Sequence, residues 1–138
     1  MVSSKNKKVL TCSVITIDGF ILKVMQVDHV EIPTYDGYIS IHKDHCSYIV
    51  SVSYGELRVY TSYDEFISLY IEGGITEVEN NVISILVEKA LYPKDINVDF
   101  INKQINELSN QTVINVEEAK RNSVNIDKLK KQIEISLK

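Results

Sequence analysis

Apolar and polar residues follow two different rhythms along the chain, and the change comes near Pro93. From Lys8 to Ile17, Leu10, Cys12 and Val14 alternate with more polar neighbours, the two-residue period of a half-buried strand. Asp18-Gly19 turns the chain into a second strand region, Phe20 to Ile32, whose polar positions Lys23, Gln26, Asp28 and Glu31 predict a bend or bulge and which Pro33 is expected to end. Tyr35-Asp36-Gly37 reads as a turn, Tyr38 to Ile41 as a short strand and His42-Lys43-Asp44-His45 as a polar loop. Strands are predicted at Tyr48 to Val52, Glu56 to Thr61 and Glu65 to Ile71, with turns at Tyr54-Gly55 and Ser62-Tyr63-Asp64. In the stretch from Ile71 to Val87, alternation on both sides of Asn80-Asn81 reads as a hairpin, because asparagine tolerates the positive φ of a tight turn. Gly73 and Gly74 ahead of it have no Cβ and allow a bulge or a close backbone approach.

Beyond Tyr92-Pro93 the spacing becomes three and four: Val98, Ile101, Ile105 and Leu108 share one helical face, with Asp95 or Asn97 as the cap. After a polar break at Ser109 to Thr112, a second helix carries Val116, Ala119, Ser123, Ile126, Ile133 and Leu137 on one stripe, interrupted by Lys130. The predicted architecture is an all-β sandwich of roughly eight to ten antiparallel strands over residues 1–90, followed by a two-helix hairpin over residues 91–138. Each helix needs an apolar surface to lie on. The periodicity fits a hairpin that is statically packed as well as one that moves.

Composition narrows the functional classes. Apolar residues make up 44% of the 138, but no run approaches the ~20 consecutive apolar residues of a membrane-spanning helix. Lys5, Lys7 and Lys8 precede a stretch that Thr11, Cys12, Ser13 and Thr16 interrupt, a poor signal-peptide core, so a soluble cytoplasmic chain is expected. The net charge of −4 disfavours nucleic acid. Residues 1–90 carry 7 positive and 12 negative charges and residues 91–138 carry 8 and 7, which makes the strand-rich part the acidic one. Two cysteines, Cys12 and Cys46, are too few for a disulfide framework.

Candidate chemistry is sparse. His42, Asp44, His45 and Cys46 are the residue types of a zinc site, which sustains an alternative reading as a stand-alone β-sandwich enzyme or metal-binding protein using His42, His45 and Cys46. The second, distant ligand pair of the usual zinc spacings is missing. With His29 as the only other histidine, no Ser/His/Asp triad is identifiable. Asp64-Glu65 and Glu117-Glu118 read as solvated faces. Tyr35, Tyr38 and Tyr48 cluster around the His42–His45 loop, as residues of an interface or simply of strands.

The order of elements and one local motif resemble the epsilon subunit of F-type, proton-translocating ATP synthases over nearly the whole chain. The family shows a Gly-Gly pair, two further residues, Glu-Val, a turn with Asn and a Val-x-Val-Leu strand leading to an alanine; here this is Gly73-Gly74-Ile75-Thr76-Glu77-Val78-Glu79-Asn80-Asn81-Val82-Ile83-Ser84-Ile85-Leu86, with Ala90 shortly after. A second motif is the loop that in the family lies against the membrane rotor ring. Pro33, Gly37, Ile39, Ile41 and His45 keep its pattern, whereas Tyr38 replaces a glutamate. The resemblance implies a β-sandwich with a helical hairpin and a non-catalytic central-stalk subunit. It implies binding to the gamma subunit and, through Gly37, Tyr38 and His45, to the rotor ring. It implies a peripheral position on the cytoplasmic side of the cell membrane. It further implies a hairpin able to extend and inhibit ATP hydrolysis, exchanging sheet contacts of Ile101, Ile105, Ile126 and Ile133 for contacts with gamma and the catalytic subunits. Some members bind ATP through Ile-Asp-x-x-Arg-Ala at the first helix. Ile96-Asn97-Val98-Asp99-Phe100-Ile101 lacks the matching aspartate, arginine and alanine, so no cofactor is expected, and Lys103 and Arg121 are the cations left to meet a phosphate.

Overall fold

The computed structural model describes residues 9–137; Lys5, Lys7 and Lys8, named above, lie outside the described residues. Seven strands, β1 (Leu10–Thr16), β2 (Gly19–Val27), β3 (His29–Thr34), β4 (Gly37–His42), β5 (Tyr48–Tyr60), β6 (Phe66–Glu79) and β7 (Val82–Leu91), precede α1 (Val98–Ser109) and α2 (Val116–Ser136). The strands form one hydrogen-bonded sheet in the order β2-β1-β7-β6-β5-β3-β4. All pairings are antiparallel except β1 with β7, which is parallel.

Seven strands stand where eight to ten were expected: the breaks expected at Tyr54-Gly55 and between Ile71 and Gly74 are bends inside β5 and β6, while the single region expected from Phe20 to Ile32 divides at Asp28 into β2 and β3. Tyr54-Gly55 does not turn the chain: β5 runs through it, paired with β6 from Tyr48↔Val78 to Tyr60↔Phe66. Gly55, Gly73 and Gly74 have φ of +151°, +68° and +143°, backbone that other residues rarely adopt. Across these glycines the inward positions change parity, from Leu57 and Val59 to Val52 on β5 and from Leu69 and Ile71 to Thr76 and Val78 on β6. The bends fold the sheet into two layers. One contains β2, β1 and the paired parts of β7, β6 and β5 around Leu86, Ile75 and Ser51; the other contains β4, β3 and the remaining parts of β5, β6 and β7. Between them lies a core that includes Val14, Ile32, Ile41, Leu57, Leu69 and Ile85, each fully buried. Pro33 lies inside β3 rather than at its end, and the missing donor is tolerated because the β3–β5 pairing is irregular between Glu31 and Thr34.

Asn80 and Asn81 turn the β6–β7 hairpin at φ of +50° and +63°, as the sequence predicts. Asn97 caps α1, its side chain accepting from the Phe100 amide, and Asn115 caps α2 through the Glu118 amide. The hairpin packs on the outer face of the second layer through a small cluster of Tyr70, Ile96, Ile101 and Ile135. The buried face of α2 differs from the predicted stripe. Val116, Ala119, Ser123 and Leu137 are exposed, while Gln132 and Ile135 are buried and Leu129 packs beside them. A hydropathy stripe cannot register Gln132, which is polar and still only 2% exposed because it meets the Tyr70 hydroxyl.

Candidate partner-binding surface

The expected rotor-ring residues do not share one loop. Gly37 and Tyr38 begin β4, whereas His45 lies beyond its other end. The Tyr38 hydroxyl accepts from the Glu56 amide at 3.0 Å and approaches Gly55, so its ring is set against the bend in β5 even though the residue is 59% exposed. His45 is tilted against Tyr48, and its Nδ1 lies 2.8 Å from the Cys46 carbonyl. Its loop is fixed to the β6–β7 turn: Asn81 Oδ1 accepts from the Asp44 amide at 2.6 Å, and Asn81 Nδ2 donates to Asp44 Oδ1 at 3.3 Å. Asn81 is 5% exposed, so its side of this pairing is sheltered from water while Asp44 is exposed.

The zinc reading finds no support in the geometry. His42 Nε2 lies 3.0 Å from Ser40 Oγ and its ring stacks on His29, whereas the His45 ring is tilted against Tyr48. Among the described residues no three His, Cys, Asp or Glu side chains are grouped to hold a metal ion. Cys46 is exposed, whereas Cys12 lies in the core, where burial pushes its thiol up to about 12.

Beside Tyr38, a polar hollow of about 410 Å³ separates β3, β4 and β5 from the end of α2. The Glu56 carboxylate in its wall accepts from Ser68 Oγ at 2.6 Å and from Arg58 Nε at 3.0 Å, and Arg58 also lies 3.9 Å from Glu31. Three carboxylates, Glu31, Glu56 and Glu134, face two cations, Arg58 and Lys131, so the lining keeps a single negative charge in excess, a weak field for gathering a charged substrate.

The face that the sequence reading missed is the outer side of the first layer. Phe20, Ile15, Leu86 and Ile75 are cross-strand partners in a single row over β2, β1, β7 and β6. Phe20, Leu86 and Ile75 are 53%, 41% and 43% exposed, against the near-zero exposure of the inward Ile83 and Ile85. Ile49 on β5 and Ile17 past the end of β1 extend this apolar surface, and Ile15, Ile17 and Leu86 line a shallow hollow of about 350 Å³. Outward positions of a solvated sheet are ordinarily polar. The signal was present in Val82 to Val87, where alternation gives way to an almost continuous apolar run. The hairpin covers the outer face of the other layer and leaves this one bare.

On the hairpin, Ile101 is buried in the contact with the sheet and Ile105 and Ile133 flank it. Ile126 instead lines a cleft of about 550 Å³ that it shares with Leu108 and Tyr54. Lys103 and Arg121 are exposed, and the Asn97 side chain is engaged in capping α1.

Residues 9–93 match the family described as "ATP synthase, Delta/Epsilon chain, beta-sandwich domain". The chain belongs to this family. Two similar relatives are ATP synthase epsilon chains: that of Pelagibacter ubique (strain HTCC1062) is 34% identical over 56% of this chain and 58% of its own length, and that of Nitratidesulfovibrio vulgaris (strain DP4) is 28% identical over 70% and 71%. The chain thus aligns with less than two thirds of the Pelagibacter protein. Among solved structures, a chain of the Euglena gracilis mitochondrial ATP synthase superposes with a TM-score of 0.80 at 19% identity, covering 95% of this chain and 82% of that one. A chain of the Tetrahymena thermophila mitochondrial ATP synthase central stalk and c-ring superposes with a TM-score of 0.74 at 12% identity, over 94% and 98%. These superpositions cover the helical hairpin as well as the sandwich and show a shared fold over both. Among the described residues no helix is long and apolar enough to cross a membrane.

Proposed function

We propose that this chain is the epsilon-type subunit of a rotary ATP synthase, a non-catalytic part of the central stalk peripheral to the cytoplasmic side of the membrane. Family membership supplies the context, and the bare apolar row of Phe20, Ile15, Leu86 and Ile75 carries the reading: a delta/epsilon sandwich with one face under its own hairpin has the other free for a partner. That partner is the gamma subunit, with the β3–β4 turn at Gly37 and Tyr38 and the loop at His45 directed to the rotor ring. Catalysis would belong to the other subunits. The hairpin would restrain ATP hydrolysis when it leaves the sheet, Ile101 and its neighbours exchanging sheet contacts for contacts with gamma.

Size-exclusion chromatography of the chain with the gamma subunit from the same source tests this reading. A one-to-one complex is expected, and Leu86→Asp and Ile75→Asp, which place a charge on the outer face and leave the core untouched, are expected to weaken it at least ~100-fold, as substitutions at the centre of an interface do. Tight binding by both folded variants would overturn the assignment of this face, and absence of a complex with the native chain would overturn the stalk role itself.

A further inference from the structure

The seam between the hairpin and the sheet pairs an apolar cluster with polar groups that are arranged in a circuit. Tyr54 on β5 and Glu72 on β6 are direct cross-strand partners at the bend of the sheet. Two consecutive residues of α2 meet this pair: the Tyr54 hydroxyl donates to Asp127 Oδ2, and Lys128 Nζ lies 3.4 Å from Glu72 Oε2. The Lys128 ammonium also sits 5.8 Å from the centre of the Tyr54 ring. Glu72 Oε2 in addition accepts from the Tyr70 hydroxyl at 3.0 Å, and Tyr70 meets the buried Gln132 one helical turn further along α2. Three residues of α2, Asp127, Lys128 and Gln132, are thereby fitted to three of the sheet, Tyr54, Glu72 and Tyr70.

The alternative fastening would be apolar, and it is small. Beyond Tyr70, its buried residues are Ile96, Ile101 and Ile135, with Leu91, Ile105, Leu129 and Ile133 packed half-buried beside them. Apolar burial is non-directional and tolerates sliding, whereas hydrogen bonds and ion pairs fix one register and exchange readily with water when the surfaces part. Glu72 and Lys128 keep side-chain exposures of 17% and 32%, so water and salt reach the pair. Burial, the Glu72 charge and its hydrogen bond push the Tyr70 hydroxyl far up, which keeps it a donor throughout the physiological range.

We infer that the Asp127–Tyr54, Lys128–Glu72 and Gln132–Tyr70 contacts form a polar latch that fixes the one register in which the helical hairpin lies on the sheet. The latch is a property of the isolated chain and does not depend on the partners assigned above.

Hydrogen–deuterium exchange of the full chain, alone in solution, tests it. In Glu72→Lys and in Lys128→Glu, like charges face each other across the seam, and amides of α1 and α2 should exchange about three- to tenfold faster while those of β1 and β7 keep their native rates. The double variant E72K/K128E restores the opposite charges in swapped positions and should return hairpin exchange toward the native rate. Raising salt to about 1 M, where the Debye length falls to about 3 Å, should accelerate hairpin exchange in the native chain and slow it in either single variant. Lys128→Gln, which removes the charge without repulsion, keeps the test readable if a reversed variant folds poorly, and should give a smaller acceleration in the same direction. Native hairpin rates in all single variants, or a double variant no slower than the singles, would overturn the latch.

Discussion

Two buried polar residues of the sandwich have opposite fates, and the contrast separates a structural need from a tolerated cost. Asn81 is engaged at both ends of its side chain: it holds the Asp44 loop through Oδ1 and Nδ2, and its backbone carbonyl accepts from the Thr11 amide at 2.9 Å. Thr76 is fully buried in the inward row of β6, and its Oγ1 is, among the described residues, the buried side-chain polar atom without a hydrogen-bond partner. An unsatisfied buried hydroxyl costs ~1–3 kcal/mol, and valine fills nearly the same volume without it. Thr76→Val should therefore stabilise the protein by about 1 kcal/mol, seen as a higher urea midpoint at unchanged m-value. Thr76→Ser keeps the hydroxyl and loses a methyl group, and should move the midpoint the other way. A lower midpoint for the valine variant would show that the hydroxyl has a partner in solution.

At the scale of elements, the glycine bends decide the fold, and they also mark where sequence reading succeeded and where it failed. Gly73-Gly74 was legible as a bulge or close approach, and the structure shows the reason: a Cβ on Gly74 would lie 1.9 Å from the Leu86 carbonyl oxygen and 2.8 Å from Val87 Cα, both backbone atoms. Gly74→Ala should cost about 3 kcal/mol or more, since backbone would have to move and a φ of +143° would be imposed on a side chain. Chemical denaturation checks this, and a loss under 1 kcal/mol would mean that the bend yields easily. Tyr54-Gly55 carried the same local signal and was misread as a turn, because glycine reports permissive backbone and long-range pairing with β6 decides whether the chain bends or reverses. The helices were legible in number and type from their spacing. The inward face of α2 was not, because Gln132, Asp127 and Lys128 meet polar groups of the sheet that hydropathy cannot anticipate. The apolar row at Leu86 was missed for the converse reason: a run of strand-forming apolar residues looks alike whether one or both of its faces are covered.

For the whole molecule, the union of sandwich and hairpin has its own dependence on pH, separable from that of either part. Tyr54 meets Asp127 and Lys128 from α2 and Glu72 across the strands, and the Tyr35 and Tyr70 hydroxyls interact with it electrostatically. Its hydroxyl is pushed up from 10.0 to about 12, first by the hydrogen bond to Asp127, then by burial and the charge of that carboxylate. Release of α2 frees the hydroxyl to titrate near its ordinary value, so the docked state binds this proton more tightly than the released one. A raised value in the docked state favours docking in full below pH ~10, and the contribution is lost as pH rises toward ~12. The hairpin should therefore leave the sheet progressively in that window while the β-sheet signal in far-ultraviolet circular dichroism persists. Distance labels on α2 and β6 would follow the separation, and tyrosinate absorbance would follow the titration. Tyr54→Phe keeps the ring under Lys128 and removes both the hydrogen bond and the proton, so it should dock more weakly at neutral pH and show a smaller alkaline change than the native chain. If Tyr54→Phe releases its hairpin over the same window and to the same extent, the proton on Tyr54 does not couple to docking, and the alkaline behaviour belongs to the other groups of the seam.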